Sequence, residues 1–200
     1  MPNLLEVLLG KSEPLKPLPP GMVSYHTPPE AEPQYRLHLR IEPDGEGVLI
    51  VNASSILHLN QTATEMIWHF IQGHTEQETS TQISKRYKVS PSVIQQDLQQ
   101  FKNQLFNFIL KKDQEPVSSF GFEPHYNLDH LSAPYRLDCG LTYRTDADQI
   151  PENELNTQQW KVLIEKASQA GIPHLIFFGG EPTLRNDLVE ILEYTEELGL

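Results

Sequence analysis

The chain has 200 residues, of which 38% are apolar and 21% charged, a composition typical of globular rather than disordered proteins. Its formal net charge of −12 disfavours nucleic-acid binding, because affinity for phosphates comes largely from lysine and arginine. The single cysteine, Cys139, excludes an intrachain disulfide and a zinc site built on several thiolates, and we assign no metal site. Neither an export signal nor a membrane-length apolar run is found, so we expect a cytoplasmic protein without a membrane partner.

Residues 1–34 are predicted to form a proline-rich arm. Six prolines lie between Pro17 and Pro33, and proline both removes backbone donors and favours extended structure. Such a segment serves as a spacer, with an SH3-type ligand as the alternative interpretation.

Three short antiparallel strands are predicted after the arm. Apolar residues alternate from Tyr35 to Ile41, which indicates a half-buried strand. Its polar face would carry Arg36, His38 and Arg40. Turn residues at 42–47 separate this strand from an apolar second strand at 48–51, and a third is predicted at 56–59.

Three helices follow the strands, and each has a recognisable start. Asn60 can cap the first, Thr75 and Glu78 form a capping box for the second, and Pro91 suits the first helical position of the third. The helices are predicted from Asn60 to about Gly73, from Thr75 to about Tyr87 and from Ser90 to Leu110.

Three strands followed by three helices at residues 35–112 resemble the PqqD-like winged-helix fold, most clearly at Ile56-Leu57-His58-Leu59-Asn60-Gln61-Thr62-Ala63. A generic winged helix is the alternative. The resemblance implies an α+β domain that binds the leader of a ribosomally synthesised precursor peptide as an added strand. It implies contacts from Ile56, Leu57, His58, Leu59, Leu98, Lys102 and Leu105.

After a linker at 113–132, residues 133–200 change to alternating strands and helices. We predict strands at 135–143 and 175–178, and helices at 152–170 and 185–198. Strands that alternate with helices indicate a parallel sheet and an α/β fold.

Two motifs in this second region, Leu141-Thr142-Tyr143-Arg144 and Phe177-Phe178-Gly179-Gly180-Glu181-Pro182-Thr183-Leu184, are similar to the opening of radical S-adenosylmethionine enzymes. The resemblance implies the start of a partial (β/α)6 barrel, about two strand–helix units long. It also implies S-adenosylmethionine binding at Gly179, Gly180, Glu181 and Pro182. Glycines let the backbone approach a ligand, and a carboxylate suits an ammonium group. An ordinary strand-to-helix turn is the alternative.

The cysteines that hold the family's [4Fe–4S] cluster are missing from this region. The family has a CxxxCxxC motif after the first strand, where this chain has Thr145, Gln149 and Glu152. Because a cluster needs thiolates, we expect this chain to bind none and to have no catalytic residue. The family also repeats its strand–helix unit about six times, whereas two units fit here and leave sheet edges and an apolar helix face unburied. We therefore expect either the front part of a longer protein or a remnant whose second half needs a partner to stay folded, with a complete radical S-adenosylmethionine protein as the candidate partner.

These observations predict a peptide-maturation protein that binds a leader peptide and whose radical S-adenosylmethionine part is inactive. One alternative is the N-terminal part of an active maturase with its cluster ligands elsewhere. Another, from a different class, is a winged-helix DNA-binding regulator, which the acidic balance disfavours.

Overall fold

The computed structural model describes residues 16–53, 55–110, 131–147 and 153–200. The first part of the chain folds into four strands and three helices. The strands are β1 (Gly21–His26), β2 (Arg36–Ile41), β3 (Gly47–Val51) and β4 (Ser55–Leu59), and the helices are α1 (Gln61–Ile71), α2 (Glu76–Tyr87) and α3 (Pro91–Leu110).

The four strands form one antiparallel sheet in the order β1-β2-β3-β4. Strands β2 to β4 confirm the predicted ones within a residue or two. Strand β1 was not predicted, because it lies in the segment interpreted as a proline-rich arm. Its prolines flank the strand rather than interrupt it, which leaves Gly21 to His26 able to pair with β2.

One face of this sheet, the helical face, packs against α1 and α3, and α2 packs against those two helices. Its core is a cluster of buried apolar side chains, chiefly Leu37, Leu39, Ile41, Leu49, Val51, Leu57, Leu59, Ala63, Ile67 and Leu105. The helix starts agree with the sequence. The side chain of Asn60 accepts a hydrogen bond from the Ala63 N–H, and Thr75 with Glu78 forms the capping box.

The second part of the chain is a β-α-β-α unit. It comprises β5 (Arg136–Thr142), α4 (Thr157–Gln169), β6 (His174–Gly179), a 3-10 turn (Pro182–Leu184) and α5 (Leu188–Glu197). Strands β5 and β6 are parallel and adjacent, as predicted. Helix α4 begins later than predicted, because Asn156 caps it with Gln159 as its capping-box partner. Helix α5 also begins later, because the 3-10 turn precedes it.

The opposite face of the antiparallel sheet, the second face, packs against the β-α-β-α unit. His38 is 0% exposed and Arg40 is 2% exposed, so β2 is buried on both faces rather than half-buried as predicted. The Arg40 guanidinium donates hydrogen bonds to the carbonyls of Pro134 (3.1 Å) and Gly171 (3.2 Å). The His38 Nε2 lies 2.9 Å from the Gly199 carbonyl.

Among the described residues, no helix has both the length and the apolar character that crossing a bilayer requires.

Candidate functional site

Strand β4 forms one edge of the antiparallel sheet, since within the described residues it pairs with β3 alone. The direction of its main-chain groups follows from the neighbouring ladder. The Glu42 N–H donates to the Glu46 carbonyl and the Asn52 N–H donates to the Arg36 carbonyl, so the even-numbered residues of β3 bond to β2. Since successive residues of a strand direct these groups to opposite sides, the odd-numbered residues bond to β4.

This alternation decides which residues of β4 direct their main-chain groups outward. In the register of β3 and β4, Leu49 lies opposite Leu57 and Gly47 lies opposite Leu59. Leu57 and Leu59 therefore bond inward to β3, whereas the N–H and C=O of Ile56 point away from it. An added strand would meet Ile56 rather than Leu57.

The side chains of the four predicted β4 residues divide between the two faces of the sheet. Leu57 and Leu59 are buried in the core of the helical face, at 4% and 2% exposure. Ile56 and His58 lie on the second face and are half-buried. All four thus border the edge, two on each side.

His58 is held in place by a residue of the second part of the chain. Its Nε2 lies 3.2 Å from the Tyr135 hydroxyl oxygen, and the two rings meet edge to face with centroids 6.2 Å apart. The Arg40 guanidinium lies over the same tyrosine ring, 5.5 Å from its centroid. Burial lowers the pKa of His58 and nearby Arg40 lowers it further, while Glu42 acts in the opposite direction.

The three predicted α3 contacts line one cavity, which the predicted β4 contacts do not line. Leu98, Lys102 and Leu105 line a cavity of about 60 Å³ between the three helices and Tyr35. None of residues 56–59 lines it, although Leu105 belongs to the same core cluster as Leu57 and Leu59. At its rim the Lys102 ammonium pairs with the Glu76 carboxylate at 2.7 Å. The structure therefore separates the predicted peptide contacts into an edge and a cavity.

The Gly179-Gly180 pair lies where β6 ends, at the carboxyl end of the parallel strands, and its backbone is packed against the last residue of β5 and the chain that follows it. A Cβ on Gly179 would lie 2.0 Å from the Thr142 carbonyl oxygen, and one on Gly180 would lie 1.9 Å from that of Arg144. Gly179 also has a φ of +133°. Close approach of the backbone accounts for both glycines, and the atoms approached are main-chain carbonyl oxygens of the protein rather than atoms of a ligand.

Glu181 and Pro182 begin the 3-10 turn. One carboxylate oxygen of Glu181 accepts hydrogen bonds from the Thr183 N–H (3.0 Å) and the Thr183 hydroxyl (2.6 Å). These two bonds lower the pKa of Glu181, the hydroxyl having the larger effect. The exposed carboxylate thus acts as a local cap, as in the alternative interpretation of an ordinary turn.

A polar network that the sequence analysis missed supports this loop. Glu154 accepts hydrogen bonds from the Thr142 hydroxyl (2.6 Å) and the Tyr143 N–H (2.9 Å), and it pairs with Arg185 at 3.3 Å. Burial opposes ionisation of Glu154, but these two hydrogen bonds and the positive charges of Arg185 and Arg144 outweigh it and lower the pKa. Arg185 also donates to Asp187 at 2.8 Å. Because its members are far apart in sequence, no local pattern could reveal the network.

The residues of this chain do not fit an iron–sulfur cluster. Cys139, the only cysteine, is 5% exposed within β5, and its Sγ lies 3.8 Å from the Leu137 carbonyl oxygen. Burial raises the pKa of its thiol and the nearby Asp138 raises it further, so the thiolate is disfavoured. Of the positions aligned with the cluster cysteines, Thr145 is described, whereas Gln149 and Glu152 lie outside the described residues.

The comparison with protein families supports the first resemblance. Residues 46–107 match the model of the family described as coenzyme PQQ synthesis protein D (PqqD), so the chain carries a PqqD domain there. The matched segment contains β4 and most of α3.

Curated relatives include enzymes of two kinds. The chain is 40% identical over 92 residues to PqqA peptide cyclase of Bradyrhizobium diazoefficiens, covering 46% of this chain and 24% of the relative. It is 36% identical over 89 residues to Fe-coproporphyrin III synthase of Methanosarcina barkeri, covering 44% and 20%. It is 47% identical over 58 residues to AdoMet-dependent heme synthase of Oleidesulfovibrio alaskensis, covering 28% and 15%.

These matches are partial, since the chain spans about a fifth of the length of the curated relatives that it matches. No solved structure shows a significant match.

Proposed function

We propose that this chain binds the leader segment of a ribosomally synthesised precursor peptide at the edge of β4, as part of a radical S-adenosylmethionine peptide-maturation system. The observation that carries the proposal is an edge strand inside the PqqD domain, with the N–H and C=O of Ile56 directed away from the sheet. Strand addition at such an edge gives affinity through main-chain hydrogen bonds and selectivity through side-chain contacts.

The added peptide is proposed to run antiparallel to β4. Every strand pair of this sheet is antiparallel, so an antiparallel fifth strand continues the pattern. Its side chains would alternate between Leu57 and Leu59 on the helical face and Ile56 and His58 on the second face. The cavity lined by Leu98, Lys102 and Leu105 is apolar apart from its rim, and we assign it to an apolar side chain farther along the same peptide.

The β-α-β-α unit is proposed to be the start of a partial radical S-adenosylmethionine barrel, with Gly179, Gly180, Glu181 and Pro182 as its cofactor loop. S-adenosylmethionine, if bound, would supply a sulfonium for reductive cleavage. Because Cys139 alone cannot hold the cluster that such cleavage needs, this chain does not perform the radical step by itself. A complete radical S-adenosylmethionine partner would supply it.

A second candidate function is the N-terminal part of an active maturase whose cluster ligands lie elsewhere in the protein. The similarity to PqqA peptide cyclase and to AdoMet-dependent heme synthase favours it. Iron and sulfide bound by the protein after anaerobic reconstitution would support this candidate over the first.

The peptide proposal is tested with an mRNA-displayed library of random linear peptides, selected on the full chain. Enriched peptides should lose affinity at least tenfold when Ile56→Pro removes the outward donor, but not when the matched control Ile56→Ala removes only the side chain. Equal binding to both variants, or no enrichment, overturns the proposal.

Amide exchange measured by NMR adds a test that does not depend on mutation. A selected peptide should slow exchange at the Ile56 amide, which points outward, and should leave the Leu57 amide unchanged, because it already bonds to β3. Protection confined to β1, the opposite edge strand, would show that the peptide binds elsewhere.

A further inference from the structure

The second face of the antiparallel sheet carries a row of side chains that leads to the β4 edge. Arg40 on β2 lies opposite Val48 on β3, and Val48 lies opposite His58 on β4. Tyr135 contacts both ends of this row, since its ring lies under the Arg40 guanidinium and its hydroxyl lies 3.2 Å from His58 Nε2. The imidazole is thus the outermost member of a row fixed from inside the protein.

Residues opposite one another in an antiparallel pair place their side chains on the same face, with Cβ atoms about 4.5–5.5 Å apart. A peptide residue opposite His58 would therefore extend the row by one member. Its neighbours on the β4 strand at this face are the imidazole of His58 and the half-buried side chain of Ile56, which is two residues away along β4. No carboxylate or cation of β4 is among them, because β4 has the sequence SILHL.

We infer that His58 determines specificity for the leader peptide by contacting the side chain opposite it, that this side chain is aromatic or aliphatic, and that Tyr135 positions the imidazole for that contact. The inference rests on the proposed function. It assigns part of the peptide site to a residue outside the PqqD domain, since Tyr135 directly precedes β5.

The chemistry of the row supports an uncharged peptide residue. The positive charge nearest to His58 in this row belongs to Arg40, which already pairs with the buried Glu42 carboxylate at 2.8 Å. An acidic peptide side chain would lie on the far side of His58 from the Arg40 guanidinium, which Glu42 already neutralises. The same guanidinium would repel a basic peptide side chain. An apolar side chain loses least on burial there and gains ring-edge contact with the imidazole.

The contact between Tyr135 and His58 also connects peptide binding to the β-α-β-α unit. Tyr135 lies at the amino end of β5, and Thr142, at the carboxyl end of the same strand, contacts the Gly179-Gly180 loop. The residue that positions His58 therefore directly precedes the strand that supports that loop.

The test compares peptide selections on the wild-type chain, Tyr135→Phe and a matched control, Tyr143→Phe. Tyr135→Phe keeps the ring beside Arg40 and removes the hydroxyl that contacts His58. Tyr143 lies beyond the other end of β5 and is 81% exposed. We expect the wild-type peptides to be apolar at one strand position, and that preference to weaken about tenfold in Tyr135→Phe and to persist in Tyr143→Phe.

The ¹⁵N shifts of the His58 imidazole give a second readout, which should change in Tyr135→Phe and not in Tyr143→Phe. The inference is overturned if peptides still bind in an Ile56-dependent way but the position preference persists in Tyr135→Phe, whether or not the imidazole shifts change. The proposed function itself fails in a different way, when no selected peptide is sensitive to Ile56→Pro.

Discussion

The two sheets of this protein differ in how their faces are covered. The four-stranded sheet is buried on both sides, by helices α1 and α3 on one face and by the β-α-β-α unit on the other. The two-stranded sheet packs α4 and α5 against one face, while Ile176 (42% exposed) and Phe178 (52% exposed) point outward from the other. An alternating strand pattern therefore predicts that a strand has two unlike faces, but not what covers the polar one.

The contact between the two parts depends most on Arg40, so its loss should have the largest effect. Arg40→Met removes a guanidinium that pairs with the 4%-exposed Glu42 and bonds to the carbonyls of Pro134 and Gly171. The carboxylate keeps its hydrogen bond from the Ser132 N–H, but leaving it buried without its ion-pair partner should lower the free energy of unfolding by about 3–5 kcal/mol.

Urea denaturation followed by circular dichroism measures this loss. The matched control is Arg136→Met, which breaks an exposed ion pair with Asp138 and should cost about 0.5 kcal/mol or less. Equal losses in the two variants would mean that Arg40 does not hold the second face against the β-α-β-α unit.

Two glycines of the smaller sheet and its loop, Gly180 and Gly140, should differ in their tolerance of a side chain. Gly180→Ala forces a Cβ to within 1.9 Å of the Arg144 carbonyl oxygen, and we expect a loss of about 1–3 kcal/mol. The control is Gly140→Ala on β5, where the nearest atoms to a new Cβ are 3.9 Å and 4.0 Å away. That variant should be neutral or more stable by about 0.5 kcal/mol, and a comparable loss would contradict our account of the loop.

Acid should act on both parts, because each holds a histidine whose pKa is lowered by burial. Burial lowers the pKa of His69 and of His174 to about 4, and the charges of His74 and His38, respectively, lower it further. As the pH falls below about 6.5, the unfolded chain takes up protons that the folded chain does not, so stability declines until the pH reaches about 4.

Each of these histidines should contribute roughly 1–2 kcal/mol to that decline, after allowance for solvent screening. His174→Phe keeps a ring beside His38 and should flatten the dependence of melting temperature on pH between 7 and 5. His69→Phe is the companion variant in the helical part. A slope that neither substitution changes would assign the acid sensitivity to other groups.

Two matched helix caps should produce the smallest effect and test whether the two parts unfold together. Asn60 caps α1 and Asn156 caps α4, each accepting an N–H at 2.9 Å. Replacing either by alanine should cost about 1 kcal/mol. If the second face couples the parts, both variants shift one common calorimetric transition, whereas two transitions that move separately would show independent units.

The sequence predicted the elements whose signals are local. Asn60, Thr75 and Pro91 mark the starts of α1 to α3, and period-two alternation revealed β2. The Asn156 capping box was equally local but was overlooked in favour of an earlier start for α4. Strand β1 was missed because prolines on both sides outweighed its short alternating pattern.

What the sequence could not predict depends on contacts between distant residues. Arg40 meets carbonyls more than 90 positions away, and His38 meets Gly199 across 161 positions. Ile56 and Leu57 were both among the predicted contacts, but the sequence could not tell which of them directs its main-chain groups outward. That assignment needs the register of the whole ladder, in which Leu57 bonds inward to β3 and Ile56 points outward. That the α3 residues line a cavity which the β4 residues do not line could likewise be learned only from the folded structure.

The buried row on the second face limits how the first part of this chain can be separated from the second and fused to another protein. An excised domain made of the four strands and three helices would expose Arg40, Val48 and Ile50, which are at most 2% exposed when the β-α-β-α unit covers this face. Grafting the domain onto an unrelated enzyme would therefore require redesign of that face. For the same reason, we expect substitutions at Arg40, Glu42 and Tyr135 to be accepted in evolution only in concert, so the two halves should be inherited as one unit.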